Sequence, residues 1–150
     1  MNVDEQAAID AQTVIEGRNL PRLETWSRPY WEATGRGELL LQHCAHCGAW
    51  QFYPRPLCTT CGEVPEWELA SGRGEVHTFT IIRQNRSAPF KELGPYIVAM
   101  IQLEEGPRMM TNLVGCELDD VEIGMAVQVH FVKADDEMAL PFWRPVATDA

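Results

Sequence analysis

Basic residues are scarce in this chain of 150 residues, where 12 lysine and arginine residues face 22 aspartate and glutamate residues, for a formal net charge of −10. A protein that binds nucleic acid needs clustered lysine and arginine to displace the counterions of phosphate groups. Here the basic residues are scattered singly along the chain. This distribution counts against a nucleic-acid-binding protein.

Long hydrophobic runs are also missing. No uninterrupted apolar stretch approaches the roughly 18 residues that indicate a membrane-spanning helix. The N-terminus, MNVDEQAAIDAQ, has neither the basic nor the apolar region of a signal peptide. We therefore expect a cytoplasmic protein with no membrane segment. In that reducing compartment, paired cysteines favour a metal ion over a disulfide.

Familiar catalytic motifs do not occur either. The sequence has no G-x-S-x-G elbow, no Walker loop and no glycine-rich dinucleotide fingerprint. His77 and His130 fall on predicted strands with no nucleophile motif beside them, and Cys116 lies in GCELDD, where carboxylates disfavour a thiolate. We therefore predict no catalytic residue in this chain.

Four of the five cysteines form the most informative pattern. The stretch HCAHCGAWQFYPRPLCTTCG (43–62) holds two C-x-x-C-G units, with the overall spacing C-x2-C-x10-C-x2-C. Two such pairs joined by a short hairpin can meet at the corners of a tetrahedron around a metal ion. Glycine after each pair allows a tight turn that points amide N–H groups at the sulfur atoms. The predicted ligands of this site are Cys44, Cys47, Cys58 and Cys61.

Zn²⁺ is the expected occupant, with a single iron as the alternative, because four thiolates with no open position are typical of structural zinc sites. A closed site of this kind cannot bind and polarise a substrate. Its role is therefore predicted to be structural.

The remaining pattern predicts a mainly β protein with N-terminal helices. Apolar residues recur with helical spacing over 3–15, and SRPYWEATGRG (27–37) predicts a short helix with Ser27 as its cap. Strands are predicted at ELLLQ before the cysteine pairs and at WELA after them. The later predicted strands are 75–83, 96–103, 108–114, 126–132 and 141–146. Five short strands without helices between them favour a closed five-stranded OB-fold barrel over the alternative of a sandwich.

Two segments carry more aromatic and basic side chains than a connection needs. One is the hairpin AWQFYPRPL between the cysteine pairs, and the other is the loop RQNRSAPFKELGP (83–95). Part of the hairpin's aromatic surface should pack on the barrel and on the N-terminal helix. Long connections that look like this often carry function. The candidate contact residues are Trp50, Phe52, Tyr53, Arg55, Arg86, Phe90 and Lys91.

Four stretches together resemble the DUF35 family of zinc-ribbon and OB-fold proteins, over nearly all of residues 26–146. They are YWEATGRGELLLQHCAHCGAWQFYPRPLCTTCG, WELASGRGEVHTFTII, PYIVAMIQLEEGPRMMTNLVGC and IGMAVQVHF. The resemblance implies an N-terminal helical segment (1–38), a rubredoxin-like zinc ribbon (39–69) and an OB-fold domain (70–150). It also implies that the four cysteines are the metal ligands.

Members of that family are typically accessory subunits or fused domains of thiolase-like enzymes that act on acyl-CoA thioesters. The resemblance therefore implies a non-catalytic zinc subunit in a hetero-oligomer with a thiolase-fold enzyme. The partner would perform carbon–carbon cleavage, condensation or acyl transfer, and the candidate contact residues would meet the partner or acyl-CoA.

Two other hypotheses come from different classes of protein. OB barrels can bind single-stranded nucleic acid by stacking bases on aromatic side chains in a basic groove, but the charge deficit counts against this. A one-iron electron carrier would also use four thiolates. Purified iron-thiolate protein would be red, whereas the zinc form would be colourless.

Overall fold

A computed structural model describes residues 17–147 of the chain. Within this range the chain forms one α-helix, α1 (Arg28–Gly35), eight strands and a short 3-10 helix at Phe90–Glu92. The strands are β1 (Leu40–His43), β2 (Trp50–Gln51), β3 (Glu66–Leu69), β4 (Arg73–Ile82), β5 (Tyr96–Leu103), β6 (Arg108–Leu113), β7 (Ala126–Lys133) and β8 (Ala139–Pro145). The helix predicted over 3–15 lies outside the described residues.

The first three strands form a small antiparallel sheet in the order β2-β1-β3. Strand β1 pairs with β3 along its whole length, from Leu40 opposite Leu69 to His43 opposite Glu66. Its pairing with β2 is shorter and places Gln42 opposite Gln51. The strands predicted on either side of the cysteine pairs are therefore confirmed, and we call this sheet with its two cysteine turns the ribbon.

The last five strands close into a barrel in the order β4-β5-β6-β8-β7. Neighbouring strands are antiparallel except β6 and β8, which pair in parallel at Leu113 and Trp143. This mixed five-stranded barrel confirms the fold class predicted from the strand count. Strand β8 begins at Ala139, two residues earlier than predicted, because it pairs with β7 up to the register of Lys133 with Ala139.

The barrel interior, the inner side of α1 and Leu41 of the ribbon form one apolar core. Trp143, Ile101 and Val127 are completely buried in the barrel, and Tyr30 and Trp31 bring the helix into the same cluster. The helix also bonds to β8, since the Thr34 hydroxyl accepts a hydrogen bond from the Ala139 N–H (3.1 Å). Helix α1 is thereby anchored on the barrel.

The side-chain cap predicted for α1 at Ser27 is wrong. Ser27 stands at the N-cap position, but its side chain makes no capping hydrogen bond. Its hydroxyl instead donates to the Glu24 carbonyl (3.3 Å) and accepts from the Glu24 N–H (3.1 Å). The cause is the turn before the helix, which folds the chain back on itself and offers the hydroxyl nearer partners.

No helix within residues 17–147 is long and apolar enough to cross a membrane.

Candidate metal centre and adjoining cavities

The two cysteine pairs meet at one end of the ribbon. The sulfur atoms of Cys44, Cys47, Cys58 and Cys61 all lie within 4.8 Å of one another. Two of the distances are 3.5 Å, from Cys44 to Cys61, and 3.6 Å, from Cys47 to Cys58. A tetrahedral zinc site with Zn–S bonds of about 2.3 Å needs sulfur atoms roughly 3.8 Å apart. The four sulfur atoms therefore fit a Zn²⁺ ion.

Each pair lies in the same kind of turn. The Cys44 N–H donates to the Ala49 carbonyl (2.8 Å), and the Gly48 N–H donates back to the Cys44 carbonyl (2.7 Å). The second pair repeats these bonds at Cys58, with the Glu63 carbonyl (2.7 Å) and the Gly62 N–H (2.9 Å). Both glycines have positive φ, 78° and 83°, which side chains with a Cβ rarely adopt.

The same turns direct backbone N–H groups at the sulfur atoms, as predicted. The N–H groups of Cys61 and Thr60 lower the pKa of Cys58 to about 6. The Glu63 N–H acts on Cys61 in the same sense, but desolvation and the neighbouring thiols outweigh it and raise the pKa of Cys61 to about 12. Four sulfur atoms this close cannot all ionise without a cation among them. The donor set thus fits a divalent metal ion that neutralises the thiolates.

With four protein sulfurs around it, a bound Zn²⁺ would have no open position for water or substrate. The metal would therefore cross-link the two turns. It would act neither as a Lewis acid toward a substrate nor as the carrier of a bound nucleophile.

Two buried glutamines fix the hairpin that leads to the second cysteine pair. Gln42 donates to the Arg55 carbonyl (2.8 Å) and accepts from the Arg55 N–H (2.9 Å). Gln51 donates to the Gln42 side-chain oxygen (2.7 Å) and accepts from the Thr59 N–H (2.9 Å). The amides are thus bonded to the backbone next to Cys58, which holds that ligand in position. The sequence analysis did not identify this network.

The candidate contact residues of the hairpin separate into two groups. Trp50 is half-buried, contacts the core cluster and stacks on His43 at 4.3 Å between ring centroids, and the Arg55 side chain is exposed on the ribbon. Phe52 and Tyr53 instead pack inward against α1, where the Trp31 Nε1 donates to the Tyr53 hydroxyl (2.9 Å). Inward packing of part of this aromatic surface was expected.

Between α1, the hairpin and the barrel lies a cavity of about 450 Å³, here called the aromatic cavity. Aromatic side chains from separate parts of the chain line it: Tyr30, Trp31, Phe52, Tyr53, Phe90, Tyr96 and Phe142. Arg18 is the only charged residue among the described residues that line the cavity. The sequence analysis missed Arg18, because no motif marks it and its neighbours come from distant segments.

A second cavity, of about 420 Å³, lies in the 83–95 loop and is here called the basic cavity. Arg83, Arg86 and Lys91 line it together with Phe90, which also lines the aromatic cavity. Within residues 17–147, none of the ion pairs between described side chains involves these three cations. The loop therefore brings three candidate contact residues, Arg86, Phe90 and Lys91, to one cavity together with Arg83.

The residues considered as nucleophile or base lie apart from both cavities. Burial, followed by the charges of Asp120 and Glu117, raises the pKa of Cys116, so its thiol stays protonated. His77 is exposed on β4. Burial, and then the charge of Arg144, lowers the pKa of His130 on β7. These positions do not form a nucleophile with an adjacent base.

The architecture defines the class: a zinc ribbon joined to a five-stranded OB-type barrel. Residues 31–66 match the family described as "ChsH2, rubredoxin-like zinc ribbon domain", and residues 67–132 match "ChsH2, C-terminal OB-fold domain". A DUF35 domain-containing scaffold protein of Methanothermobacter thermautotrophicus is 36% identical over 97 residues, which cover 63% of this chain and 71% of that protein. The chain belongs to the DUF35 family.

Two further relatives extend the comparison. A probable enoyl-CoA hydratase alpha subunit of Thermomonospora curvata is 39% identical over 118 residues. The match covers 77% of this chain but only 36% of that protein, so the chain spans about a third of its length. Among solved structures, the Ltp2-ChsH2(DUF35) aldolase superposes with a TM-score of 0.74 at 35% identity, covering 84% of this chain and 98% of the other.

Proposed function

We propose that this chain is a non-catalytic zinc-binding accessory subunit of a thiolase-like enzyme complex that acts on acyl-CoA thioesters. The observation that carries the proposal is the closed four-cysteine cluster in a DUF35 chain whose other candidate nucleophile, Cys116, stays protonated. The relatives' names support it, since they include a scaffold protein, an aldolase with a DUF35 component and a probable enoyl-CoA hydratase alpha subunit. Reaction chemistry would belong to the partner.

The compartment follows from the thiols. Four cysteines act as metal ligands only while they remain reduced, which favours the cytoplasm over an oxidising compartment. Docking on a large enzyme would use the hairpin and loop surfaces that carry the candidate contact residues. The ribbon face with Trp50 and Arg55 is the proposed contact with the partner protein.

The basic cavity is the proposed contact with the nucleotide end of acyl-CoA. Its three cations, Arg83, Arg86 and Lys91, are suited to phosphate oxygens, and Phe90 offers an apolar surface beside them. Their concentration in one loop contrasts with a chain whose net charge is −10. An anion would therefore be attracted to this loop in preference to the rest of the surface.

The test is co-purification from the native host, with identification of the captured protein and assay of acyl-CoA cleavage and condensation. We expect a thiolase-fold enzyme to be captured, and we expect activity only from the complex. Cys47→Ser should abolish capture, whereas the matched variant Cys116→Ser, which alters the cysteine outside the cluster, should retain it. Turnover by the isolated chain, or equal capture by both variants, would contradict the proposal.

A further inference from the structure

The aromatic cavity has the properties of a small-molecule site. Its volume of about 450 Å³ falls within the roughly 300–1,000 Å³ of typical ligand pockets. Such pockets combine apolar and aromatic walls with a few polar groups that orient the ligand. Here the walls come from α1, the hairpin, the 83–95 loop and the barrel, so the cavity exists only when ribbon and barrel are both in place.

Arg18 provides the charged group of this cavity. Its guanidinium lies 5.6 Å from the ring centroid of Phe90 and 5.9 Å from that of Phe142. Nη1 donates to the Asn112 side-chain oxygen at 3.0 Å, which fixes the guanidinium between the two rings. A guanidinium has five N–H donors, and this bond uses one of them. None of the ion pairs between described side chains involves Arg18.

Three tyrosines line the cavity. The Tyr96 hydroxyl accepts a hydrogen bond from Asn85 (2.9 Å), and Tyr30 and Tyr53 add hydroxyl donors to the wall. Tyr30 is only 1% exposed, and burial, with Tyr53 as a smaller cause, raises its pKa far above the ordinary value. Its hydroxyl therefore stays protonated and can donate a hydrogen bond. Within residues 17–147 no hydrogen bond between described groups uses it. The Tyr53 hydroxyl accepts from Trp31, which leaves its own proton to donate.

We propose that the aromatic cavity binds a flat, ring-bearing acyl group, with its oxygen accepting hydrogen bonds from Arg18 and from the tyrosine hydroxyls. Aromatic walls favour a flat apolar body through stacked and edge-to-face contacts. A desolvated guanidinium selects an acceptor oxygen and repels a cation. That the ligand is the acyl part of a thioester rests on the proposed function. The preference for a flat apolar body with an acceptor oxygen rests on the cavity alone.

The experiment uses the full zinc-loaded chain and two probes that share one ring system. The first is 2-naphthoate, and the second is 2-naphthylmethylammonium, which has the opposite charge. Calorimetry gives the affinities, and spectra of chain labelled with ¹³C-methyl methionine locate the site. We expect naphthoate to bind at least about tenfold more tightly, with shifts at Met109 and Met110, which line the cavity, and none at Met125, which does not.

The comparison of probes is informative because of the charge of the protein. With a net charge of −10, nonspecific electrostatic binding would favour the ammonium probe. A preference for the carboxylate therefore has to come from a local cation.

Variants then separate Arg18 from arginine in general. Arg18→Met should weaken naphthoate binding at least about tenfold and should strengthen binding of the ammonium probe, because a repelling charge is removed. The matched control is Arg108→Met on β6, since Arg108 is exposed, bonds to Gln102 and does not line the cavity. It should bind like the unmodified chain. Val98→Trp, which fills the cavity from β5, should abolish binding while circular dichroism and zinc content remain normal.

Equal affinity for both probes, shifts that spare Met109 and Met110, or an Arg18→Met chain that binds normally would each overturn the inference. Absence of binding by either probe would do the same. These results are independent of co-purification with a thiolase-fold enzyme. Failure of the cavity with retained capture would therefore overturn this inference alone, whereas binding without capture would overturn only the proposed accessory role.

Discussion

The ribbon and the barrel keep their shapes by different means. In the barrel, five strands surround apolar side chains, and Trp143, Ile101 and Val127 are 0% exposed. The ribbon strands have only 4, 2 and 4 residues. Leu41 of β1 reaches the common apolar core, while the buried groups next to the metal turns include the Cys44 and Cys58 sulfurs and the Gln42 and Gln51 amides. A sheet this small cannot bury enough apolar surface by itself. The ribbon therefore needs metal ligation and polar bonds in addition to its few apolar contacts with the core, while the barrel depends on apolar burial.

The largest expected effect breaks the ribbon alone. Cys47→Ser removes one of the four ligands, and structural zinc contributes on the order of 10 kcal/mol to small modules of this kind. We expect loss of the metal and of ordered ribbon signals in NMR spectra, with barrel signals retained. Elemental analysis of the purified variant checks the metal. A variant that kept stoichiometric zinc and ribbon signals would show that the cluster does not organise the ribbon.

An effect of intermediate size breaks the barrel instead. Trp143→Ala removes a fully buried side chain, which should lower the free energy of unfolding by about 3–5 kcal/mol while the chain still binds one zinc ion. Urea denaturation measures the change. Trp143→Phe is the matched control, because the Trp143 Nε1 is buried without a hydrogen-bond partner among the described residues. The phenylalanine variant should lose much less stability, and an equal loss would contradict burial as the cause.

The smallest effect concerns the amide network of the ribbon. Gln51→Leu removes the acceptor of the Thr59 N–H and one of the two hydrogen bonds to the Gln42 side-chain oxygen, at a cost of about 1–3 kcal/mol. Zinc should be lost to a chelator faster, while urea unfolding of the barrel should not change. Gln84→Leu, at an exposed position of the 83–95 loop, serves as the control. Identical rates of zinc loss in both variants would mean that the network does not support the metal site.

Features that depend on local spacing can be predicted from the sequence. The C-x-x-C-G units predicted both metal turns, and the apolar run YIVAMIQL, which follows the turn residues Gly94 and Pro95, placed β5 at 96–103, which are its observed bounds. An apolar run of strand length next to turn residues is sufficient to predict such an element.

Features that depend on residues far apart in the chain cannot be predicted from local patterns. Gln42 and Gln51 belong to no motif in the sequence. Only their opposite placement in the β1–β2 pair shows that they bond to each other. Arg18 meets Asn112 across 94 positions, which no local pattern reveals. The predicted cap at Ser27 is wrong because the Ser27 hydroxyl bonds to Glu24 in the turn before the helix and not to the helix N-terminus.

Helix α1 has a contact whose consequence extends beyond stability. A Cβ added at Gly35 would lie 2.5 Å from the Glu137 carbonyl oxygen, so the helix rests directly on the backbone before β8. The same helix contacts the hairpin through Trp31 and Tyr53. Helix α1 therefore fixes the distance between the ribbon and the barrel. A surface that engages both must match that spacing, so bulk introduced at Gly35 would change which partners fit without altering a single residue at the interface.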